Sequence, residues 1–524
     1  MRDAHWASEA DAWRPPSSAV ATARPRFTSY PFTLGVASGA PTPESVVLWT
    51  RLAPEPLAGG GVREESVVVR WEVATDDAFR RVVRQGTVDT LAGQGHAVHV
   101  PVNGLQANRW HWYRFTAGDD VSPVGRTRTL PASGSNPARL RLAYGSCQQF
   151  EQGYYAAHRH ILEEDVDFMV FLGDYIYESS WGVNLVRRHA GGEPRTLTDY
   201  RNRHAQYKTD PDLQALHAQV PWLVVWDDHE VDNDYADSRS EDLDPQFLAR
   251  RAAGYQAYFE HMPLPESARP RGPDARIYSR YDFGGLARIH LLDGRQYRTP
   301  QACPRPGRGG ANVVGEDCRE LFDPERTMLS THQEQWLDDG VRGAAERWNV
   351  LAQATLMARA DPRLGGEEQF WTDAWDGYPA ARTRLLTGLR DRDARSCVVI
   401  SGDAHATFAC DLRQRGQPRR RCRGVRHLHH LAGPAREPDR DPAAGEPRHP
   451  LCRRRPARLH GPRHHAGRDP GGGAGDRRCN GAHDRGQHRP HLHHRAGPPR
   501  HPALGPLRSG GGRSRTAAPG GWPP

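Results

Sequence analysis

This chain lacks a membrane-spanning run. Residues 1–26 hold no long apolar stretch, which excludes a transmembrane helix and an intact signal peptide from that segment. No internal repeat is present. Large apolar side chains are scarcest at the other end: residues 411–524 contain no Phe, Tyr, Ile or Lys. So few apolar groups cannot bury enough surface to offset chain entropy, and 413–524 is expected to be a disordered tail.

Residues 411–524 also hold 25 Arg against 8 Asp plus Glu, and 13 of the 27 His. Their net charge of +17 exceeds the +8 of the whole 524-residue chain, so residues 1–410 carry about −9. The overall basicity therefore does not argue for an anionic partner of the folded part. Arg, Pro, Gly and His are what GC-rich codons yield out of frame. Codons can be chosen for 416–431 and 446–466 such that a one-nucleotide shift restores strand-like sequence. Residues 413–524 are read as a frameshift product; the alternative is a genuine basic low-complexity tail for nucleic acid or a cell surface. Residues 1–31 are expected to be a disordered lead or signal-peptide remnant, because Ser17 to Arg24 has the small-residue character of a cleavage region.

Three of the eight cysteines, Cys422, Cys452 and Cys479, fall in the tail. Cys303 and Cys318 flank a Pro- and Gly-rich loop. A disulfide closing a loop of that size would contribute about 3 kcal/mol, while two free thiols fit the spacing equally well.

What is present is strongly patterned. From Phe32 to about residue 133 the chain reads as all-β: Val46 to Thr50, Ser66 to Val73, Ala97 to Val102 and Trp110 to Phe115 are short strand-like runs between turn residues, as in a sandwich. Residues 140–412 alternate strands with helical patterns such as Gln149 to Glu164 and Thr331 to Val341, as an α/β domain does.

Within that second region, Leu140 to Tyr144, Val166 to Leu172, Trp222 to Trp226 and Cys397 to Ser401 read as buried strands. Each closes on a polar motif: Gly145-Ser146-Cys147, Gly173-Asp174-Tyr175-Ile176-Tyr177, Asp227-Asp228-His229-Glu230 and Gly402-Asp403-Ala404-His405. Carboxylates, imidazoles, a thiol and a phenol thus gather at one sheet edge. A carboxylate at Asp174 can bridge two cations through its two oxygens, although a lone Asp there is otherwise a cap or turn residue. Tyr177 returns to the side of Asp174 if the chain turns helically, and a phenolate suits a ferric ion. Four ionisable groups in a row after a strand are costly to bury unless a cation or hydrogen bonds compensate. Asp403 and His405 share a face if extended.

These motifs, together with Asn233, Leu292-Asp293-Gly294-Arg295-Gln296-Tyr297-Arg298 and Trp375-Asp376-Gly377-Tyr378, resemble the PhoD-type alkaline phosphatases of the calcineurin-like metallophosphoesterase superfamily. Thr33 to Gly39 and Val47 to Leu52 resemble the start of that family's N-terminal domain. The resemblance implies an α/β protein: an N-terminal β-sandwich at 32–133, then a metallophosphoesterase-type α/β/β/α sandwich at 140–412. It implies an extracellular or cell-envelope enzyme, expected as a monomer without a specific nucleic-acid partner, that hydrolyses small phosphate monoesters and often diesters with Fe3+ and Ca2+.

By motif position Cys147, Asp174, Tyr177 and His405 would hold iron, with Asp174 bridging to calcium. Asp228 and Asp403 would be second-metal ligands, and Asn233 and Asp376 further calcium ligands. Asp174, Asp228, His229 and Arg295 are the expected catalytic residues, Arg295 as a phosphate clamp whose ordinary alternative is a salt bridge. The implied chemistry is in-line attack on phosphorus by a metal-activated hydroxide or oxide, with Cys147 as a thiolate ligand rather than a nucleophile. The chain departs from the family pattern at Ala40, where Asp is usual, and in lacking the twin-arginine signal. The family's closing strands are also missing as translated. An inactive frameshifted product and a basic-tail binding protein are the competing readings.

Overall fold

The computed structural model describes residues 25–182, 185–344, 346–359, 368–391, 396–412 and 426–429. They form the mixed α/β architecture expected. One six-stranded sheet runs in the order Ala97–Asn103, Ser45–Arg51, Val36–Gly39, Trp222–Val225, Phe168–Leu172, Leu142–Gly145. A second runs Ser279–Phe283, Ala287–Leu291, Trp348–Ala352, Cys397–Ser401, Arg426–His429, Ala409–Asp411.

Two of the strands that carry the motifs are apolar throughout because both of their faces are covered. Phe168–Leu172 and Trp222–Val225 are buried at every position. They pair in parallel, Leu172 opposite Val225, and Leu142–Gly145 lies parallel on the other side with Gly145 opposite Phe171. Three carboxyl ends therefore finish side by side, where an open α/β sheet places its ligands.

The N-terminal segment is all strand, but its strands are shared out. Ser66–Ala74, Val82–Leu91, Trp110–Ala117, Asp120–Val121 and Gly125–Arg128 form a sheet of their own. Val36–Gly39, Ser45–Arg51 and Ala97–Asn103 instead continue the motif-bearing sheet, Gly39 lying parallel to Trp222. The two layers pack through Val46, Leu48, Val98 and Val100 on one side and Val67, Val69, Tyr113 and Phe115 on the other. A side chain at position 39 would have its Cβ 2.5 Å from the Pro263 carbonyl, so this close approach requires glycine.

Two helices begin on capping residues. Leu197–Lys208 starts with a Thr196/Asp199 capping box, and Pro211–Gln219 with Asp210 as N-cap and Pro at the first position. The helix expected at 149–164 is broken: Phe150–Gln152 is a single 3-10 turn, Gly153 is extended, and Ala156–Leu162 is the only α-helical part. Ser330–Arg342 is helical as read. Cys303 and Cys318 form a disulfide, which settles the open alternative. Among the described residues, no helix is long and apolar enough to cross a membrane.

Within 413–524, where a disordered tail is expected, Arg426–His429 is a strand that pairs parallel with Cys397–Ser401 and antiparallel with Ala409–Asp411, completing a ladder that Cys397–Ser401 would otherwise leave open. Residues 1–24 and the remainder of 413–524, with the signal-remnant and frameshift readings placed on them, lie outside the described residues.

Candidate metal centre

The loops leaving the three parallel strands are laced together by their backbones. Cys147 N donates to Gly173 O at 3.2 Å and Gln148 N to Asp174 O at 3.1 Å. Gly173 lies at φ 88°, and a Cβ there would come within 2.4 Å of Asp227 N. Gly173 is thus a packing requirement of the crowded strand ends. Cys147 (φ 57°), Asp174 (φ 55°), Asp403 (φ 70°) and His405 (φ 46°) all take the left-handed backbone region. Non-glycine residues visit it uncommonly, and such strain concentrates at functional sites.

Across this crossing point Cys147, Asp174 and His405 present ligand atoms within 4.8 Å of one another, and so do Asp174, Asp228 and His229. Asp174 belongs to both groups. Tyr177 Oη donates to Asp174 Oδ2 at 3.1 Å and lies 3.0 Å from His405 Nε2. Asp403 N donates to Cys147 Sγ at 3.2 Å. The Trp181 indole lies parallel to the His405 ring, centroids 5.6 Å apart.

The electrostatics call for positive charge. Burial pushes Cys147 well above its usual range, with Asp174 and Asp403 adding to the effect. Burial likewise raises Asp174, Asp228 adding while His229 opposes, and raises Tyr177, where Asp174 and Cys147 add. Asp403 is raised by burial and by Asp227 and Asp373. Asp174 Oδ1 is buried without a hydrogen-bond partner. A thiol, a phenol and carboxylates that inhibit one another's ionisation, with one oxygen left unsatisfied, fit cations with mixed S, N and O ligands.

His229 Nδ1 lies 2.7 Å from Glu178 Oε2, and its ring centroid 4.1 Å from that of Tyr177. Burial works against its protonation, but Glu178, Asp228 and Asp174 outweigh it and hold the imidazole well above its ordinary pKa. The sequence marked His229 as catalytic; the structure also makes it a candidate ligand.

Arg295, Asn233 and Asp376 each meet a protein partner. Arg295 is fully buried: its Nη1 and Nη2 reach Asp373 at 2.9 and 2.8 Å, its Nε donates to Asp227 Oδ1, and Nη2 is 3.4 Å from Asp228 Oδ1. A guanidinium committed to three carboxylates is a structural counter-ion, so the clamp expectation gives way to the salt-bridge one. Asn233 Nδ2 donates to Glu241 Oε2 at 3.0 Å. Asp376 faces Arg359 at 3.6 Å and belongs to neither ligand group.

Asp373 was missed. It accepts from Arg295, from Arg298 Nη1 at 2.7 Å and from Gln301 Nε2 at 2.8 Å. It lies three residues before the Asp376 that the motif suggested, and spacing alone does not say which carboxylate turns inward. Asp234 was missed too: its N donates to Asp228 Oδ2 at 2.7 Å, and burial pushes its own carboxyl up to about 8.

Fold and site together define a mixed α/β protein built around a candidate polynuclear metal centre. A family model described as PhoD-like phosphatase matches residues 142–428, and one described as the N-terminal domain of PhoD-like phosphatase matches 18–131. Alkaline phosphatase D of Bacillus subtilis (strain 168) is 47% identical over 399 residues, covering 74% of this chain and 67% of the relative. A solved structure of PhoD superposes with a TM-score of 0.75 at 44% identity, covering 78% of each chain. This chain belongs to the PhoD-like phosphatase family.

Proposed function

We propose that this phosphatase is a metal-dependent alkaline phosphatase acting on phosphate monoesters and also on diesters. The observation that carries this reading is Asp174: a buried carboxylate shared by two ligand groups, with one oxygen lacking a hydrogen-bond partner. Cys147, Asp174, Tyr177 and His405 would hold the ferric ion, and Asp174, Asp228 and His229 the calcium, with Asp403 beside both. Cations in such a cluster supply Lewis-acid polarisation of phosphoryl oxygens and acidification of water.

The chain's own residues do the rest. The left-handed turns at 147, 174, 403 and 405 fix donor directions before any ligand arrives. Glu178 orients His229 through Nδ1, which leaves Nε2 as its remaining polar atom. Arg295 pairs with Asp227 and Asp373 behind the ligand wall, where with Arg298 it holds Asp373 below the usual carboxylate range and partly offsets the burial that pushes Asp227 up to about 6. No serine nucleophile is needed, and the buried Cys147 thiol, raised rather than lowered in pKa, suits a ligand better than a free nucleophile. The Cys303–Cys318 disulfide supports folding in an oxidising compartment, in keeping with an extracellular or cell-envelope enzyme.

The test is phosphate release from an aryl phosphate monoester and a bis-aryl diester by protein loaded with Fe3+ and Ca2+. Loss of both activities to a calcium chelator, and on Asp174→Ala, is expected. Undiminished activity in Asp174→Ala would remove the assignment.

A further inference from the structure

Glu230 closes the Trp-Asp-Asp-His-Glu motif, yet it belongs to neither ligand group and is fully buried. Its two oxygens are instead committed to backbone. Oε1 accepts from Tyr175 N at 2.6 Å, and Oε2 accepts from both Asp174 N at 3.1 Å and Asp227 N at 2.8 Å. We propose that Glu230 is the positioning residue of the metal centre, a carboxylate clamp that joins the loop carrying Asp174 to the loop carrying Asp227 and Asp228. The inference rests on the metal-centre reading given above.

The physical case has three parts. First, the amides it receives are buried donors at strand ends, where the chain has left its ladder; without an acceptor they would each stand unsatisfied. Second, one oxygen binds an amide from each loop. The separation of the two loops is thereby fixed at the length of two hydrogen bonds. Third, Glu230 is brought there by its own local turn, in which Val231 N and Asp232 N both return to Asp228 O at 2.7 and 2.8 Å. The residue that holds the loops and the ligand Asp228 thus belong to one rigid turn. Metal-site partners that orient ligands without touching the metal change metal affinity or activity by about 10- to 100-fold when removed.

Glu230→Gln tests this directly, because the amide retains shape but sets an N–H against backbone N–H groups. Glu230→Asp retains the charge and withdraws it by one methylene. Both folded holoenzymes should release iron and calcium to a competing chelator at least tenfold more readily than the native protein. Their kcat on an aryl phosphate should fall at least tenfold, with KM within about threefold of the native value. A folded Glu230→Gln with native metal affinity and native kcat would overturn the proposal.

Should neither variant fold, amide hydrogen exchange of the native chain decides. Protection of the Asp174, Tyr175 and Asp227 amides in chelator-treated protein supports a clamp that exists before metal. Rapid exchange that slows only on adding Fe3+ and Ca2+ overturns it. Metal release and amide exchange do not require ester hydrolysis, so failure of the phosphatase reading would be seen separately.

Discussion

The phenol of Tyr177 donates to Asp174 Oδ2 at 3.1 Å although neither residue lies in a helix. The left-handed backbone at Asp174, φ 55°, turns the chain back on itself where a helical turn had been expected. The same phenol lies 3.0 Å from His405 Nε2, so it spans residues supplied by the two different sheets.

Tyr177→Phe should therefore fold normally but lose the visible absorption band that a phenolate–ferric pair gives the iron-loaded protein. The measurement is the absorption spectrum of both proteins at equal iron content. An unchanged band in the variant would remove Tyr177 from the ligand set.

Arg295→Met should act on stability, not on substrate affinity. It leaves Asp227, Asp228 and Asp373 as buried carboxylates short of their cation, a change that costs about 3–5 kcal/mol in comparable buried networks. Denaturant unfolding checks this. A stable variant whose only defect is a raised KM would restore the clamp reading.

Acid should weaken the fold through neutral buried histidines. Burial holds His99, His158 and His290 at about 4, whereas an unfolded histidine titrates near about 6.5. Between those values the unfolded chain binds more protons, so stability rises with pH across the window and is lost as pH falls from about 6.5 towards 4. Each group adds a slope of up to about 1.4 kcal/mol per pH unit. A melting temperature measured in chelator that is flat or rising from pH 7 to pH 5 would contradict this; His99→Gln should reduce the slope.

Ala40 has φ 43°, a backbone region that suits Gly, Asn or Asp better than Ala. Ala40→Gly and Ala40→Asp should raise stability by about 0.5–1 kcal/mol with kcat unchanged. Thermal melting and one kinetic assay suffice, and a lower melting temperature for both variants would show that the turn relies on the alanine methyl.

Much of the site was legible because buried strands announce themselves. Phe168–Leu172 and Trp222–Val225 are unbroken apolar runs, and the polar residues that follow them have nowhere to go but the sheet edge. That punctuation singled out Cys147, Asp174 and His405, and the family resemblance supplied their ligand roles. Arg295 shows why motif position does not fix a role: a charged residue in a motif can face a ligand or another charge, and only its neighbours from distant segments decide which. Asp373 and Glu178 carry no local signal beyond being acidic.

The sequence by itself determined the α/β class, the order of the motifs and the chemical kinds of group that meet, since strand periodicity and residue type are local properties. Tertiary structure alone decided that Val36–Gly39 pairs with Trp222–Val225, that Cys303 bonds to Cys318, that Arg295 serves carboxylates and that Glu230 holds backbone. Each of those outcomes is a pairing between segments far apart in the chain or between side chain and turn, and pairing energies depend on distances that no local pattern encodes.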